Sequence, residues 1–392
     1  MRTLGAALGV IALLAAGCTE PPTPEPEPKT AAFESAPCPV PNLRGVPSLD
    51  LGPEFSCGFL VVPEDRARPD GRTIKIAVAR ARATSANPKP DPMLYVAGGP
   101  GGPGLPLGNT LVAAGINRDR DVILIDQRGT LHAQPALTCP EIDEFVAAAT
   151  GMSIMAPSTA EKDLAAVRAC HARLVGDGND LASFDTSENA SDIADLRTAL
   201  GLVVSATLNT SLIPSLPKVI HAIATGDPAP AAALLLGSLS PPDLVGYGLT
   251  YGVFCRESVA FTDTASILAA ARRVLPRLPS EVLSLPPQAP QLVDECAAWN
   301  VGRADAAVHE TVHSDVPALL LAGTLDAVTP PSQADLAAEG LPNGRVVRIA
   351  GSGHDVLSRS PCAQQILVDF LDDPTGYDAG CAATLPLPTF DD

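Results

Sequence analysis

The sequence predicts an α/β protein built on a doubly wound, mostly parallel sheet with a helical insertion. Two observations support this fold class. Short apolar runs rich in β-branched residues alternate with segments of helical periodicity in both halves of the chain. Between Ser211 and Trp299 the composition becomes rich in Ala, Leu and Pro, with helical runs such as LPKVIHAIATGD and TASILAAARRVL. The alternation favours parallel strands joined by helices, and the change of composition marks the insertion.

The N-terminal half contains four strand-like runs and one clear helix. Residues 59–62 and 73–79 flank the turn PEDRARPDG, and residues 92–97 form a short apolar run. Residues 121–126, DVILID, have no polar residue in their middle, which is typical of a strand buried on both faces. A helix is predicted over 187–200 because its apolar residues recur along one face.

The α/β pattern resumes near the C-terminus. The strand-like run ALLLAG is followed by a helical segment, QADLAAEG, and by a second strand-like run, RVVRIA. Asp326 lies in the loop after the first of these strands, and His354 lies in the loop GSGHDV after the second.

The N-terminus, MRTLGAALGVIALLAAGC, has the pattern of a signal peptide. Arg2 precedes an apolar run, Leu4 to Ala16, that is too short to cross a bilayer comfortably. The small residues before Cys18 resemble a bacterial lipobox, which predicts an acylated Cys18; an ordinary signal peptide is the alternative. The Pro- and Glu-rich stretch that follows predicts an extended tether. We therefore expect an exported bacterial lipoprotein that faces the periplasm or the cell exterior.

Eight cysteines follow Cys18, and an even number on an exported chain predicts disulfides. None of them has the C-x-x-C spacing of a zinc ribbon. We predict that neighbours pair in order along the chain, although the sequence leaves other connectivities open. The predicted pairs are Cys38–Cys57, Cys139–Cys170, Cys255–Cys296 and Cys362–Cys381.

Three fragments together resemble the α/β-hydrolase fold: AGGPGGPG, DQRG, and the pair GTLDAVTPP and GSGHD. More narrowly, they resemble the secreted tripeptidyl-aminopeptidase and prolyl-iminopeptidase-like serine peptidases, from about Cys38 to Cys381 apart from one gap. The resemblance implies that His354 is the general base and that Asp326 orients it. It also implies an oxyanion loop, for which a simple tight turn is the alternative. The residues of this loop are Gly98, Gly99, Gly101 and Gly102.

The gap falls where the family carries its nucleophile, a serine on a G-x-S-x-G elbow after the helix 187–200. No G-x-S-x-G occurs in the sequence. The part that resembles the family's helical cap begins near Ser211, so about ten residues remain where a strand, an elbow and a helix need roughly twenty. The sequence therefore lacks the nucleophile strand, its elbow and the helix after it. The run VVSATL could occupy the vacated strand position; otherwise the sheet would have exposed edges.

Four other hydroxyl residues are alternatives for the nucleophile, and each has an argument against it. Thr250 lies in GLTYG, which fits better a cap segment before the motif CRES. Ser205 and Ser211 lack the small neighbours that a strained elbow requires. The side chain of Ser352, two residues before His354, is expected to point away from the base.

Two further motifs bear on substrate and metal. In relatives, acidic residues near the cap motif hold the free amino terminus of the substrate, and Glu257 retains one of them while Ser258 replaces the other.

The stretch HETVH, 309–313, matches the zinc motif H-E-x-x-H, with Glu339 at a distance that suits a third ligand. Against zinc, Thr311 and Val312 are mediocre helix formers and SDVP follows at once.

The resemblance implies an exported, lipid-anchored hydrolase of the aminopeptidase type that acts on peptides or on small esters and amides. Its catalysis is expected to be impaired or lost because the nucleophile is missing; the alternative is a non-catalytic, peptide-binding pseudoenzyme. No cofactor and no metal are expected, and the net charge of −18 disfavours nucleic acid. The predicted segments are a signal peptide (1–18), a tether (19–36), the first part of the hydrolase core (37–202), a cap remnant (203–300) and the C-terminal core (301–392).

Overall fold

The computed structural model describes residues 31–40, 51–153, 156–200, 203–205, 227, 229, 241–276, 283, 289–326, 328–357 and 360–387. Three features named above lie outside these residues: Cys18 with most of the tether, Ser211, and nearly all of the run LPKVIHAIATGD. In the part of the chain that is described, no helix has both the length and the apolar character that crossing a bilayer requires.

The larger sheet has six strands in the order β1-β2-β3-β5-β4-β6. The strands are β1 (Ala32–Ala36), β2 (Phe55–Pro63), β3 (Thr73–Ala81), β4 (Met93–Val96), β5 (Val122–Asp126) and β6 (Val203–Ser205). Only β5, β4 and β6 run parallel, whereas β1, β2 and β3 are antiparallel to their neighbours. The larger sheet is therefore mixed, and its parallel part consists of β5, β4 and β6. The turn between β2 and β3 is too short for the crossover that parallel pairing needs.

A second sheet pairs β7 (Ala318–Gly323) with β8 (Gly344–Ile349) in parallel. Helix α8 (Pro331–Ala338) connects them, which gives the strand–helix–strand unit predicted from the sequence. The described residues contain no hydrogen-bonded ladder between this sheet and the larger one. The first three residues of VVSATL form β6 and pair with β4, so this remnant takes a strand position at the border of the larger sheet.

The remaining helices surround the sheets. They are α1 (Gly108–Ala113), α2 (Pro140–Ala149), α3 (Pro157–Gly176), α4 (Thr186–Leu200), α5 (Tyr247–Val253), α6 (Thr264–Val274), α7 (Ala289–Trp299) and α9 (Pro361–Asp372). Proline opens α2, α3, α8 and α9, where its missing N–H costs no helical hydrogen bond. The side chain of Asp263 caps α6 by accepting from the Ser266 N–H at 2.7 Å.

Apolar layers cover both faces of the larger sheet. All five residues of β5 are buried, and their side chains alternate between two clusters. One cluster joins Ile123 and Ile125 to α3 and α4, and the other joins Val122 and Leu124 to α1 and α9. Helices on both faces of a sheet whose strand β5 is buried throughout define the doubly wound α/β arrangement that the sequence predicted.

All four predicted disulfides are present. They join Cys38 to Cys57, Cys139 to Cys170, Cys255 to Cys296 and Cys362 to Cys381, with Cα–Cα distances between 4.8 and 5.9 Å. Each bridge closes a short stretch of chain, from 19 to 41 residues in sequence separation. The bridges therefore reinforce neighbouring elements and do not tie distant parts of the chain together.

Candidate active site

The loops after β7 and β8 bring Asp326 and His354 into direct contact. The two strands are parallel, so both loops leave the same edge of the small sheet. The Nδ1 atom of His354 lies 2.9 Å from the Oδ2 atom of Asp326. The carboxylate is almost completely buried, whereas 23% of the histidine side chain is exposed. This pairing holds the imidazole by one nitrogen and turns the other, Nε2, away from the carboxylate.

Asp326 is fixed by three further hydrogen bonds. Its Oδ1 atom accepts from the N–H groups of Val328 at 2.8 Å and Thr329 at 2.9 Å, and its Oδ2 atom accepts from the Thr329 hydroxyl at 2.9 Å. Burial raises the pKa of Asp326, but the hydrogen bonds from His354 and Thr329 outweigh it and the pKa lies below its ordinary value. The carboxylate is therefore ionised at neutral pH and can stabilise a proton on His354.

Thr329 belongs to this site, although the sequence analysis did not identify it. Its Oγ1 atom lies 2.9 Å from both Asp326 Oδ2 and His354 Nδ1. The signal was present in the stretch DAVT, because an aspartate often accepts from the backbone N–H groups two and three residues later in a turn. The same turn that fixes the carboxylate thus places a hydroxyl beside the imidazole.

A cavity of about 540 Å³ opens beside the Asp326–His354 pair. Its walls include Gly98 and Gly99 from the loop after β4, consecutive residues of β7, and the two side chains of the pair. A Cβ atom added to Gly98 would meet no atom within 4 Å, so this glycine faces open space. The structure therefore brings part of the predicted oxyanion loop into the same cavity as the predicted base.

Gly101 and Gly102 have a different environment from Gly98 and Gly99. The N–H of Gly102 donates to the carbonyl of Gly98 at 3.2 Å, and the carbonyl of Gly101 accepts from the N–H of Gly246 at 2.9 Å. Neither residue is among the residues that line the cavity. Their role in this structure is to close the turn and to pack against α5.

The motif DQRG anchors both ends of the glycine loop. The buried Asp126 accepts at Oδ1 from the N–H groups of Gly104 at 2.7 Å and Leu105 at 2.8 Å. The amide of Gln127 donates to the carbonyl of Ala97 at 2.6 Å. The loop therefore begins and ends on two adjacent side chains at the end of β5, which hold Gly98 against the cavity.

The described residues contain no hydroxyl or thiol hydrogen-bonded to Nε2 of His354. The hydroxyl of Thr250 donates to the carbonyl of Pro100 at 2.6 Å and is thus engaged elsewhere. Ser352, two residues before His354 in the chain, is buried and does not line the cavity. Ser205 ends β6, paired with Tyr95 of β4, and Ser211 lies outside the described residues. Of the alternative nucleophiles whose side chains the structure describes, neither Thr250 nor Ser352 is placed on the base.

The side chain of Glu257 contacts the N-terminus of α4. Its Oε1 atom accepts from the backbone N–H of Thr186 at 2.8 Å, an unpaired donor at a helix N-terminus. The residue does not line the cavity of the Asp326–His354 pair. Its carboxylate therefore stabilises the first turn of α4, and its predicted contact with a substrate amine has no counterpart in this geometry.

The stretch HETVH does not form the helix that a zinc site would need. A short 3-10 helix ends at His309, and Glu310 is extended with ψ of 138°. The His309 ring packs edge-on against Phe261 with 4.5 Å between ring centroids, so His309 and His313 share no helical face. In the described part of the chain the one cluster with metal-ligand spacing contains two cysteines that form a disulfide.

Parts of the chain are similar to known proteins. Residues 286–381 match the family described as TAP-like protein. The tripeptidyl aminopeptidase of Streptomyces lividans is 31% identical over 163 residues, which cover 39% of this chain and 30% of that protein. The tripeptidyl aminopeptidase of Streptomyces coelicolor is also 31% identical over 163 residues, covering 39% of this chain and 29% of that protein. The matched stretch thus spans about a third of these relatives.

Two solved esterases resemble the chain as well. A thermophilic esterase from Thermogutta terrifontis has 16% identity and a TM-score of 0.35, covering 81% of this chain and 99% of the esterase chain. An esterase from Exiguobacterium antarcticum has 16% identity and a TM-score of 0.34, covering 78% of this chain and 97% of its own.

The family match over residues 286–381 and the two aminopeptidase relatives support membership of the chain in the α/β-hydrolase superfamily. The sheet is doubly wound, as the sequence predicted. Along the chain, a strand is followed by Asp326, a helix, a second strand and His354, which is the predicted order. Both of these curated relatives are tripeptidyl aminopeptidases, and the similarity to them extends over 163 residues.

Proposed function

We propose that this protein binds peptides in the cavity beside Asp326 and His354 and has lost covalent serine catalysis. One observation carries the proposal: the aspartate and histidine are in place, and no described hydroxyl is bonded to the free nitrogen of the histidine. A base without a nucleophile cannot form an acyl intermediate, so binding and electrostatic assistance remain. The peptide class follows from the similarity to tripeptidyl aminopeptidases.

The loss of catalysis is tested with a fluorophosphonate probe. A serine, threonine or cysteine activated by His354 would attack the phosphorus atom, expel fluoride and become labelled. We expect no stoichiometric labelling of the folded protein that begins after Cys18, and none of its His354→Ala variant. Labelling of a single residue that disappears in His354→Ala would contradict the proposal and would identify the nucleophile by peptide mapping.

Peptide binding is tested by filling the cavity. A Cβ atom at Gly98 would meet no atom within 4 Å, so we expect Gly98→Val to place its branched side chain in the cavity. We expect this variant to lower the affinity for a fluorescent pentapeptide at least tenfold, at an unchanged melting temperature. Gly176→Val is the matched control, because Gly176 is also free of neighbours and lies at the exposed end of α3. If both variants bind the pentapeptide with equal affinity, the cavity is not the binding site.

We also propose that Cys18 carries a lipid that anchors the exported protein to a membrane. The support is the lipobox-like sequence before it. In cells that process lipoproteins, the full chain should partition into detergent, and Cys18→Ser should move it to the aqueous phase. Retention of Cys18→Ser in the membrane fraction would contradict the anchor.

A further inference from the structure

The hydrogen bonds at the two ends of β7 fix which of its residues face β8. The N–H of Ala318 donates to the carbonyl of Asn343 at 3.3 Å, and the N–H of Thr324 donates to the carbonyl of Ile349 at 3.1 Å. In a parallel ladder, every second residue of a strand bonds to the same neighbour. The even-numbered residues of β7 therefore bond to β8, and the odd-numbered residues direct their N–H and C=O groups to the opposite edge.

Leu319 and Leu321 are the residues of β7 at this opposite edge. Their N–H and C=O groups have no hydrogen-bond partner among the described residues. A polar backbone group that faces a protein cavity instead of water needs a partner, because leaving it unsatisfied costs free energy. Two alternate residues offer up to four such bonds, which is the pattern that an added strand would meet.

The cavity beside the Asp326–His354 pair reaches this free edge. Four consecutive residues of β7, 319–322, line it. Successive side chains of a strand point to opposite faces, so a cavity on one face would be lined by every second residue only. A cavity lined by consecutive residues meets the strand along its edge, where the N–H and C=O groups of Leu319 and Leu321 lie without a partner among the described residues.

We propose that the cavity binds peptides as an added strand that pairs with the free edge of β7. This inference rests on the proposed peptide-binding function and specifies how the main chain is held. At about 3.3 Å per residue, 319–322 span a length that matches three to four extended peptide residues. Strand addition recognises the main chain of the peptide, with its alternate side chains fitting the adjoining walls.

The lining of the cavity suits an extended peptide with small or apolar side chains. Leucine and alanine residues of β7 line the cavity, and Gly98 and Gly99 line it without contributing side chains. Asp326 follows β7 in the chain, so the Asp326–His354 pair lies at the C-terminal end of β7. The bound main chain would thus end beside the imidazole.

Single N-methylation of a peptide tests the pairing. The probe is the pentapeptide Ala-Val-Ala-Val-Ala with a C-terminal fluorescein, compared with its derivatives methylated at each of the four amide nitrogens of residues 2 to 5. Methylation at a nitrogen that faces β7 removes a donor and inserts a methyl group at the edge. We expect about a tenfold loss of affinity at alternate positions, either 2 and 4 or 3 and 5, and smaller losses at the others.

Amide hydrogen exchange of the protein gives an independent readout. The N–H groups of Leu319 and Leu321 should exchange rapidly in the free protein and become protected on addition of the unmethylated pentapeptide. Those of Leu320 and Ala322, which bond to β8, should be protected in both states. Slow exchange at Leu319 and Leu321 before any peptide is added would show that the chain itself covers the edge, and would overturn the inference.

The outcomes separate this inference from the function on which it rests. Binding of the pentapeptide that is weakened by Gly98→Val, but has no alternation on N-methylation, would overturn strand addition and leave peptide binding in the cavity intact. No binding of the unmethylated pentapeptide at millimolar concentration would overturn both. Alternation together with protection of Leu319 and Leu321 would support strand addition.

Discussion

Arg128 and Asp192 form a completely buried ion pair with two hydrogen bonds, Nε to Oδ2 at 2.7 Å and Nη2 to Oδ1 at 2.8 Å. The same guanidinium donates to the carbonyls of Glu64 and Ser183, so each of its nitrogen atoms has a partner. The pair joins the turn after β5 to α4. It thereby fixes the turn whose first residues anchor the glycine loop.

Removing the cation of this pair should destabilise the fold strongly. Arg128→Ala would remove two of the hydrogen bonds of the buried Asp192 carboxylate and leave it with Arg66, which donates to Oδ1 at 2.7 Å, so we expect a loss of about 3 kcal/mol in the free energy of unfolding, the lower end for a broken buried pair. Arg348→Ala is the matched control: Arg348 also contacts both oxygens of an aspartate, Asp335, but both side chains are about half exposed. This variant should cost less than about 1 kcal/mol. Equal losses in urea denaturation would contradict the role of burial.

The tight turn of the glycine loop predicts different costs for two alanine substitutions. Gly101 has φ of 97°, and an added Cβ would lie 2.3 Å from the Thr250 hydroxyl and 2.7 Å from the Gly246 carbonyl. Gly115 has φ of 73° but no atom within 4 Å of such a Cβ.

Gly115→Ala should therefore cost only the backbone strain, about 1–2 kcal/mol. Gly101→Ala adds steric overlap to this strain and should cost clearly more, about 3 kcal/mol or above. Thermal unfolding of both variants measures the difference. A Gly101→Ala variant as stable as Gly115→Ala would show that the loop can move away from α5 at little cost.

Glu295 should make the stability of the fold depend on pH near neutrality. Burial, together with the charge of the nearby Asp163, raises the pKa of Glu295 from 4.5 to about 7. Tyr251 donates to its Oε2 atom at 3.0 Å. The folded protein therefore holds a proton that the unfolded chain releases above pH 4.5, and the free energy of unfolding should fall as the pH rises from 4.5 to 7.

Glu295→Gln keeps the shape and the hydrogen bonds of the protonated form. We expect this variant to be more stable than the natural protein at pH 8, on the order of 2 kcal/mol, and equally stable at pH 4. Glu141→Gln is a control of opposite sign, because the hydrogen bond from Arg173 lowers the pKa of Glu141 and stabilises its charged form. Denaturation curves at both pH values decide the outcome, and a pH-independent difference for Glu295→Gln would contradict the raised pKa.

The disulfides should contribute according to the lengths of the loops that they close. The bridge Cys255–Cys296 has a sequence separation of 41 residues, and Cys362–Cys381 has one of 19 residues. In the chain-entropy description, replacing both cysteines by alanine should cost about 4 kcal/mol for the first bridge and about 3 kcal/mol for the second. Guanidinium denaturation of the two double variants tests this order. A larger loss for the shorter loop would show that packing at the bridges outweighs loop closure.

The sequence predicted the elements whose signal is local. The uninterrupted apolar run 121–126 became β5, the apolar stripe over 187–200 became α4, and neighbouring cysteines paired. The pairing of Asp326 with His354 was predicted from the resemblance of GTLDAVTPP and GSGHD to a known family, and in the structure two parallel strands deliver both loops to one edge. The strand and the helix needed only periodicity, whereas the pair also needed the resemblance.

Other features depend on tertiary contacts that sequence patterns do not contain. Glu257 looked like a substrate contact, yet the fold places it on the N–H of Thr186. Gly101 and Gly102 share their pattern with Gly98 and Gly99, and only the packing against α5 separates the two pairs. The stretch HETVH matched a zinc motif because a motif states a spacing and not a backbone conformation.

The four disulfides occupy successive, non-overlapping intervals of the chain, so the correct partner of every cysteine in a bridge is its nearest unpaired neighbour. A chain that emerges from its N-terminus and is oxidised as it emerges can therefore form the native bridges in order, without reshuffling. Cys18 would break this rule, since a free thiol there is the first partner that Cys38 would meet. The proposed thioether-linked lipid would remove that thiol, so the anchor would also protect the order of oxidation.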